Sequence, residues 1–294
     1  MAQRVGVLGA SGLVGDVLLP RLLDAGWSVA AFSRSRGAEA SGGGVCWRRL
    51  QPEAASTLDA EAAGAIPLWI CVAPIAVLPD YFSLLEAAGA RRVVALSSTS
   101  LFTKEQSSDA DEQALARRLA EAEASLQAWA ERQGVEWVVL RPTLIYRLGR
   151  DKNITEIARF IRRFGFFPVF GRALGLRQPI HAADLAEACV AALSSRAATN
   201  RAYNVSGAEV LTYRAMVTRV GEAIGRPPRL LTVPLWVFRF ALVFLRCVPR
   251  YRYWSAAMAE RMNCDLVFDH AEARRDLAFE PRGFAPGDDA AWRD

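Results

Sequence analysis

Short apolar runs alternate with stretches of helical periodicity over the first two thirds of the chain. Strands that are connected through helices run parallel, so this pattern predicts a parallel sheet that is covered by helices. The predicted strands are Val5–Leu8, Ser28–Phe32, Pro67–Val72, Arg92–Leu96, Glu136–Leu140 and Ala202–Val205. The predicted helices between them are Gly12–Ala25, Asp80–Ala88, Glu112–Arg132 and Ala182–Leu193.

The pattern changes in the second half of the chain. Asp151–Gly165 predicts an arginine-rich helix, and the apolar segment Phe166–Gly171 predicts a turn after it. From Gly207 onward the sequence predicts helices without clear strand alternation. The glycine-rich stretch Arg36–Gly44 predicts a surface loop.

These elements predict one unit of the α/β class over residues 1–294. We expect a Rossmann-type, doubly wound parallel sheet with a small, mostly helical C-terminal substrate lobe. The core would comprise residues 1–148 and about 177–206, and the lobe residues about 149–176 and 207–294. A chain of 294 residues, 52% of them hydrophobic, can bury a core of this size. The lobe is expected over the carboxyl edge of the sheet, where open α/β sheets bind ligands.

Three glycines follow directly after the first predicted strand. Their spacing is that of a dinucleotide-binding loop, in which the first makes a tight turn, the second lets the backbone approach the pyrophosphate, and the third lets helix and strand pack closely. The unpaired N–H groups at the start of the next helix would face the anion. The predicted loop consists of Gly9, Ala10, Ser11, Gly12, Leu13, Val14 and Gly15.

The end of the second strand predicts which dinucleotide binds. An acidic residue there binds the ribose 2′-hydroxyl of NAD, whereas an arginine accommodates the 2′-phosphate of NADP. The chain has Ser33 at the acidic position and Arg34 directly after it. We therefore predict NADP(H) over NAD(H), with Arg34 on the 2′-phosphate and Ser33 or Ser35 assisting. The alternative is that Arg34 is a solvated surface residue.

Charge and cysteine content add a few expectations. The formal net charge is +5, and almost all positive charge is arginine, with Lys104 and Lys152 as the only lysines. An arginine excess suits phosphate-bearing ligands or an anionic membrane surface, and it equally follows from a GC-rich genome. No basic stripe predicts nucleic-acid binding. The scattered cysteines and the lack of a signal-like segment predict no metal site and a cytoplasmic location.

Four motifs occur in a characteristic order along the chain. They are GASGLVG at 9–15, RVVALSS at 92–98, LRPTLIY at 140–146 and RQPIHAADLA at 177–186. With these motifs the chain resembles an extended or atypical short-chain dehydrogenase/reductase of the NAD-dependent epimerase/dehydratase type. The resemblance covers nearly the whole chain. It implies an NAD(P)-binding Rossmann fold and the chemistry of an oxidoreductase or epimerase.

The resemblance implies a catalytic serine at the end of the fourth strand, and a tyrosine with a lysine four residues later on one helix face. Ser98 occupies the serine position and is the candidate for orienting the substrate. Leu115 and Leu119 occupy the tyrosine and lysine positions, and no Tyr-x-x-x-Lys occurs anywhere in the sequence. A leucine can neither donate nor accept a proton.

Three interpretations of this loss stay open. Another residue supplies the proton, for which Tyr146, His181 and Tyr203 are the candidates. The reaction needs no strong acid. Or the protein binds a dinucleotide for structure or sensing and catalyses nothing. For the last possibility, the chain also resembles the short-chain-dehydrogenase-like accessory subunit of respiratory complex I.

The resemblance also implies further contacts. The remaining cofactor-binding candidates, some of them beside the nicotinamide, are Ala73, Pro74, Ser97, Pro142 and Thr143. Arg177 matches an arginine that contacts a substrate diphosphate, and an arginine fork suits that group in geometry and charge. The alternative is that Arg177 and His181 tie the lobe to the core. We expect His181 and Asp184 to stabilise a strand–helix junction.

The most apolar segment covers residues 230–249, and arginines that alternate with aromatic residues follow it up to residue 254. Arg239 and Arg246 interrupt it, which argues against a membrane-spanning helix. The segment fits a helix that lies in a membrane interface, a lobe helix that covers the site, or an apolar lid for a lipid-linked substrate. Peripheral contact with the inner face of a membrane is compatible with this segment, and the family resemblance is compatible with a homodimer.

Two hypotheses about function follow. The first is an NADP(H)-binding epimerase or reductase-like enzyme that acts on a nucleotide sugar, a lipid-linked compound or another hydrophobic small molecule. The alternative is a non-catalytic, dinucleotide-binding protein that serves assembly or regulation at a membrane. Only the first predicts cofactor turnover.

Overall fold

Seven parallel strands form the central sheet. A computed structural model describes residues 3–50, 65–237 and 256–288. The strands are β1 (Arg4–Leu8), β2 (Ser28–Ser33), β3 (Val45–Arg49), β4 (Leu68–Cys71), β5 (Arg92–Leu96), β6 (Glu136–Pro142) and β11 (Arg201–Val205). Their order is β3-β2-β1-β4-β5-β6-β11, and all neighbours run parallel. This doubly wound order leaves a crevice at the carboxyl end of β1 and confirms the predicted fold class.

Helices cover both faces of the sheet. They are α1 (Gly15–Asp24), α2 (Phe82–Ala87), α3 (Ser100–Thr103), α4 (Ala110–Gln133), α5 (Ile154–Phe164), α6 (Ala182–Ser194), α7 (Tyr213–Ala223), α8 (Ala256–Arg261) and α9 (Ala271–Leu277). Short 3₁₀ turns lie at Ala38–Ala40, Ile75–Tyr81, Arg196–Ala198 and Pro286–Asp288. One apolar cluster joins α1 and α6 to the sheet, and a second joins α4 and the turn Ile75–Tyr81 to its other face.

Short two-stranded ladders lie beside the central sheet. Strand β7 (Ile145–Tyr146) pairs with β10 (Ile180–His181), β9 (Leu176–Arg177) with β12 (Leu211–Thr212), and β8 (Phe166–Phe170) with β13 (Arg229–Val233). Together with α5 and α7, several of these strands enclose a third apolar cluster. This cluster lies in the part of the chain that was predicted as the lobe, although the domain boundaries stay a prediction.

Several local predictions differ from the structure. The segment Phe166–Gly171 was predicted as a turn, but Phe166–Phe170 is a strand that pairs with β13. Strand β13 in turn lies in the region that was predicted to have no strands. Pro168, in the middle of β8, is unusual within a strand, and the partner strand is far away along the chain. The local sequence therefore did not indicate a strand here. Helix α1 begins at Gly15 rather than Gly12, because the preceding residues form the loop after β1.

The interpretations of residues 230–254 fall largely outside the described part of the chain, because residues 238–254 are not described. Within the part that the structure describes, no helix has the length and apolar character needed to cross a membrane.

Candidate functional site

The glycine loop brings three strand ends together. Gly9 has a φ of +81°, and the N–H groups of Gly9 and Ala10 donate to the Phe32 carbonyl at 3.1 and 3.2 Å. A Cβ atom at Gly9 would lie 2.5 Å from the backbone nitrogen of Ala73. Only glycine fits there, because both the left-handed backbone and the close approach exclude a side chain. The loop is therefore anchored to β2 and to the residues after β4.

The other two glycines differ in what surrounds them. A Cβ atom at Gly15 would lie 2.2 Å from the carbonyl oxygen of Ala10, so this glycine is needed for the packing of α1. Gly12 is exposed, and the nearest atom to a Cβ there would be the Gly9 oxygen at 3.2 Å. No side chain caps the start of α1 at Val14. An open glycine beside an uncapped helix start fits the pyrophosphate of a dinucleotide.

Three serine hydroxyls connect this loop to the end of β2. Ser33 Oγ lies 2.7 Å from Ser11 Oγ and 3.1 Å from Ser35 Oγ. The Ser35 N–H also donates to Ser33 Oγ at 3.1 Å. The hydroxyls can both donate and accept, so the cluster can reorient towards an anion. The sequence predicted that Ser33 or Ser35 assists in binding the 2′-phosphate. It predicted Ser11 only as a residue of the glycine loop.

Two arginines follow Ser33, and only one is engaged by an aromatic ring. Arg36 lies over the ring of Trp47, with its Cζ 5.0 Å from the centroid. Arg34 is exposed and forms no ion pair with a described residue. Burial and the nearby Asp80 raise the pKa of Tyr81, and the positive charge of Arg34 opposes that shift. Arg34 therefore lies close to Tyr81 of the turn Ile75–Tyr81, and in sequence it stands between Ser33 and Ser35 of the serine cluster.

Polar side chains cluster at the carboxyl ends of β5 and β6. Ser97 is buried, and its Oγ has no hydrogen-bond partner among the described residues. Ser98 Oγ accepts from the N–H of Ser100 at 3.1 Å. Pro142 is buried at the end of β6, and Thr143 donates its hydroxyl to the Gln178 carbonyl. An unpaired hydroxyl in this position leaves a donor for a ligand in the crevice.

The positions of the missing proton-transfer pair lie in an apolar environment. Leu119 is buried on α4 within the cluster that covers the sheet, and Leu115 packs against the same cluster one turn earlier. One turn after Leu119, the buried Glu123 forms a bidentate ion pair with Arg141 of β6. Arg141 also lies over the ring of Phe102, with its Cζ at 5.2 Å. The helix is thus in place, but leucines stand where acid and base would be expected.

The alternative proton donors are held in structural contacts. Tyr146 is fully buried and accepts a hydrogen bond from the N–H of Ala285 at 3.3 Å. Tyr203 donates to Asp276 at 2.8 Å, and burial followed by this contact raises the pKa of Tyr203 to about 12. His181 Nδ1 accepts from the N–H of Ala183 at 3.1 Å and so caps α6. In these positions the side chains of Tyr146, Tyr203 and His181 stabilise the chain segments that they contact.

The junction before α6 is closed by an ion pair. Asp184 is buried and accepts from both the backbone N–H and the Nε of Arg282, at 3.0 and 2.7 Å. The contact ties the C-terminal chain to the start of α6. Within the described ranges, no group of three or more His, Cys, Asp or Glu side chains has the arrangement of a metal site.

Arg177 is a buried cation whose hydrogen bonds go to backbone carbonyls. Its Nη1 donates to Leu176 and Cys264 at 2.7 and 2.8 Å, and its Nη2 donates to the Arg261 carbonyl. The guanidinium lies over the ring of Tyr213 at 5.4 Å. Burial lowers the pKa of Arg177. The residue connects the ladder β9–β12 to the chain after α8, and its charge meets no carboxylate in these hydrogen bonds.

A second charged cluster lies beside Arg177 and was missed by the sequence analysis. The side chain of Arg261, at the end of α8, forms an ion pair with Glu112 of α4. Lys104 Nζ lies 3.6 Å from the same carboxylate, and Ser107 donates its hydroxyl to it at 2.7 Å. Two cations thus share one carboxylate between the core and the C-terminal part. The one available signal was that Lys104 is one of only two lysines.

The fold is that of a Rossmann-type α/β protein with a three-glycine loop after its first strand. The model of the NAD-dependent epimerase/dehydratase family matches residues 79–206. Among solved structures, the chain is similar to a UDP-glucuronic acid 4-epimerase from Bacillus cereus, solved with UDP-glucuronic acid and NAD. The TM-score is 0.74 at 13% identity, over 98% of this chain and 96% of that one. The predicted resemblance to extended short-chain dehydrogenase/reductases of the epimerase type is confirmed.

Curated relatives point to more than one activity. A UDP-glucose 4-epimerase from Vibrio cholerae is 24% identical over 162 residues, which are 55% of this chain and 47% of that protein. The chain therefore spans about half the length of that relative. A (4-alkanoyl-5-oxo-2,5-dihydrofuran-3-yl)methyl phosphate reductase from Streptomyces griseus is 29% identical over 294 residues, with 95% of this chain and 99% of that protein covered.

The second predicted resemblance is also confirmed over part of the chain. Subunit 9 of the NADH dehydrogenase [ubiquinone] 1 alpha subcomplex from Arabidopsis thaliana is 26% identical over 100 residues, or 34% of this chain and 25% of that protein. Similarity to an enzyme and to a respiratory-complex subunit leaves the activity to be argued from the site.

Proposed function

We propose that this chain is a reductase that uses NADP(H) to reduce a carbonyl-conjugated double bond in a small molecule that carries a phosphate group. One observation carries the proposal: the chain combines a complete three-glycine loop after β1 with a helix that has Leu115 and Leu119 at the proton-transfer positions. Epimerisation and alcohol oxidation need a strong base at that place. Hydride addition to a conjugated double bond leaves a delocalised enolate, which needs only a weak acid.

The Streptomyces relative supports this substrate class. Its name describes a dihydrofuran ring with an acyl group, an oxo group and a methyl phosphate, and the alignment covers nearly all of both proteins. A ring double bond beside two carbonyl groups is strongly polarised. At 29% identity, we propose as substrate the chemical class of this compound and not the compound itself.

The residues of the loop would hold the cofactor. Gly12 and the start of α1 would face the pyrophosphate, and Arg34 with the serine cluster would face the 2′-phosphate. Ser97 and Thr143 would lie beside the nicotinamide ring. When bound, the reduced nicotinamide supplies a hydride. The preference for NADP(H) rests on Arg34 and on position 33, where a serine stands instead of an acidic residue.

The substrate phosphate would bind between the core and the C-terminal part of the chain. Arg177 and Arg261 are adjacent there, and burial lowers the pKa of both guanidinium groups. The hydrogen bonds of Arg177 go to backbone carbonyls, and Arg261 shares the single carboxylate of Glu112 with Lys104. These three cations together would attract a phosphate. A cytoplasmic location, a homodimer and membrane contact through residues 230–254 stay predictions.

A non-catalytic role is the second candidate. The two leucines also suit a protein that binds a dinucleotide without turnover, and the Arabidopsis relative is a subunit of a large complex. Both candidates predict dinucleotide binding, so only turnover separates them.

The test has two steps. The protein is first titrated with NADPH and with NADH, followed by the fluorescence of the reduced nicotinamide. It is then mixed with NADPH and a synthetic acyl-dihydrofuranone methyl phosphate, the corresponding alcohol without phosphate, or UDP-glucose. We expect NADPH to be preferred and only the phosphorylated furanone to be reduced. Dinucleotide binding without turnover of any of the three would favour the non-catalytic role, and no binding would refute both.

A further inference from the structure

The cluster at the start of α4 contains a half-buried amine close to the position of the missing tyrosine. We propose that Lys104 is the catalytic acid of this protein and that it donates a proton to the reduced substrate in place of the lost pair. The inference rests on the proposed reductase function. It assigns the proton, whereas the proposed function assigns the hydride and the substrate class.

Local structure holds Lys104 in a defined position. Its backbone N–H donates to the Ser100 carbonyl at 3.1 Å. This bond closes the short helix α3, which follows Ser97 and Ser98 at the end of β5. Its Nζ lies 3.6 Å from Glu112 Oε1, and the two side chains are only 21% and 12% exposed. The other lysine, Lys152, is exposed. Lys104 is therefore the one half-buried amine among the lysines of this chain.

The contact with Glu112 brings the amine to the part of α4 that carries Leu115. Glu112 lies three residues before Leu115 on α4, so the two side chains are neighbours on one helix face. On its other side Glu112 contacts Arg261, whose carbonyl accepts from Arg177. Lys104 is thus connected through α3 to the serines after β5, and through Glu112 to the arginines that would bind the phosphate.

Burial of Lys104 favours release of its proton. Burial and the neighbouring Arg261 lower the pKa of the Lys104 ammonium, and Asp109 opposes this shift. Glu112 is the carboxylate in direct contact, and Ser107 and Arg261 already hold its oxygens. An acid is most efficient when its pKa lies near the working pH, so a lowered pKa suits an amine that must donate.

The proposed reaction is a conjugate reduction in which Lys104 supplies the proton. The reduced nicotinamide would supply the hydride for the new C–H bond, and the electron pair of the double bond would move to the conjugated carbonyl oxygen. One N–H bond of the Lys104 ammonium then breaks, its electron pair stays on Nζ, and its proton forms an O–H bond on that oxygen. The neutral amine regains a proton from water. In sum, one hydride and one proton are added to the substrate.

The first test measures the amine itself and needs no turnover. The protein is methylated with ¹³C-formaldehyde, and the two dimethyl-lysine signals are titrated by NMR, with Lys104→Arg used for assignment. We expect the Lys104 pKa to lie clearly below that of the exposed Lys152 in the same sample. Equal pKa values for the two lysines would overturn the proposal, whatever the substrate screen shows.

The second test uses kinetics with NADPH and the phosphorylated furanone. We expect Lys104→Met and Lys104→Arg each to lower kcat by about 100-fold while KM changes little, as for loss of a general acid. The pH profile should lose its basic limb in both variants, and Lys152→Met should behave as wild type. If Lys104→Arg keeps kcat and Lys104→Met mainly raises KM, the residue is a phosphate anchor and the proposal fails.

The two tests also separate this proposal from the proposed function. If wild type reduces none of the compounds, the reductase function fails while the NMR titration still decides whether Lys104 is perturbed. If wild type is active and both Lys104 variants retain their kcat and pH profile, the reductase stands and Lys104 is not its acid.

Discussion

At the scale of single residues, Gly12 separates ligand binding from folding. Gly9 and Gly15 are required by the protein itself, because a Cβ atom at either position would clash with backbone atoms. Gly12 meets only the Gly9 oxygen at 3.2 Å, and the rest of its surroundings is open. A side chain at position 12 would therefore fill space in which a ligand could bind, and it would contact little of the protein itself.

Replacement of Gly12 tests this distinction. We expect Gly12→Val to weaken NADPH binding by more than tenfold, because its methyl groups would fill the space beside the helix start. The unfolding free energy should change by less than about 1 kcal/mol, as for other exposed sites. Gly15→Val, the matched control, should destabilise the fold by about 1–3 kcal/mol through overpacking. Unchanged NADPH affinity in folded Gly12→Val would contradict the loop assignment.

Arg34 and Arg36 form a natural pair of test and control. Arg36 lies over Trp47, whereas Arg34 is exposed beside the serine cluster. A charge-assisted hydrogen bond contributes about 1.5–3 kcal/mol, so Arg34→Ala should weaken NADPH binding by about 10- to 100-fold. NADH affinity should stay unchanged, because NADH lacks the 2′-phosphate. Arg36→Ala should affect neither cofactor. Equal losses for both cofactors in Arg34→Ala would refute the 2′-phosphate contact.

At the scale of elements, the sequence predicts what depends on neighbours along the chain. The glycine loop, strands β5 and β6 and helix α4 all have local patterns, and the structure contains each of them. Strands β8 and β13 depend on each other, although they are far apart in sequence. Strand β3 was also not predicted, because its alternation includes Arg48 and Arg49 at the edge of the sheet.

The residues of the candidate site likewise fall into two groups, those that local motifs predict and those that only the fold brings together. The loop and the strand-end serines follow from motifs, so they could be named from the sequence. The charged cluster could not be named, because Lys104, Glu112 and Arg261 come from three elements that meet only in the folded chain. Arg177 was named, but its hydrogen bonds to backbone carbonyls appear only in the structure.

Helix α4 is held to the sheet by a buried ion pair, which gives a prediction about stability. Glu123 and Arg141 have side chains that are 5% and 20% exposed. Glu123→Leu would leave the Arg141 charge without its carboxylate and should lower the unfolding free energy by about 3 kcal/mol. The double variant Glu123→Leu/Arg141→Met should recover most of that loss, as measured by urea unfolding. A double variant as unstable as the sum of both single variants would show that the pair does not act as a unit.

At the scale of the whole molecule, the C-terminal chain packs beside the last strand of the sheet. Strand β11 is that last strand on its side of the sheet. Helix α9 packs beside it, and Tyr203 of β11 donates to Asp276 at 2.8 Å. The hydroxyl of Ser195 also donates to the Asp276 carbonyl at 2.6 Å. Asp276 therefore links the end of the chain to the sheet and to the segment after α6.

This link makes stability depend on pH in a predictable direction. Hydrogen bonds from Arg275 and then Tyr203 lower the pKa of Asp276 to about 2 in the folded protein, whereas an unfolded aspartate has a pKa of about 3.9. The folded state therefore favours the ionised carboxyl, and its contribution is complete above about pH 4 and lost as the pH falls towards about 2.

Asp276→Asn tests the link across that range. At neutral pH we expect the variant to be less stable by about 1.5 kcal/mol, since it loses hydrogen bonds to a charged group. The difference from wild type should shrink as the pH falls from about 4 towards about 2, because the wild-type carboxyl is then protonated as well. Tyr203→Phe should lose part of the same energy, and the two losses should not add in the double variant. A difference between Asp276→Asn and wild type that stays constant down to about pH 2 would show that this carboxylate does not hold the C-terminal helix to the sheet.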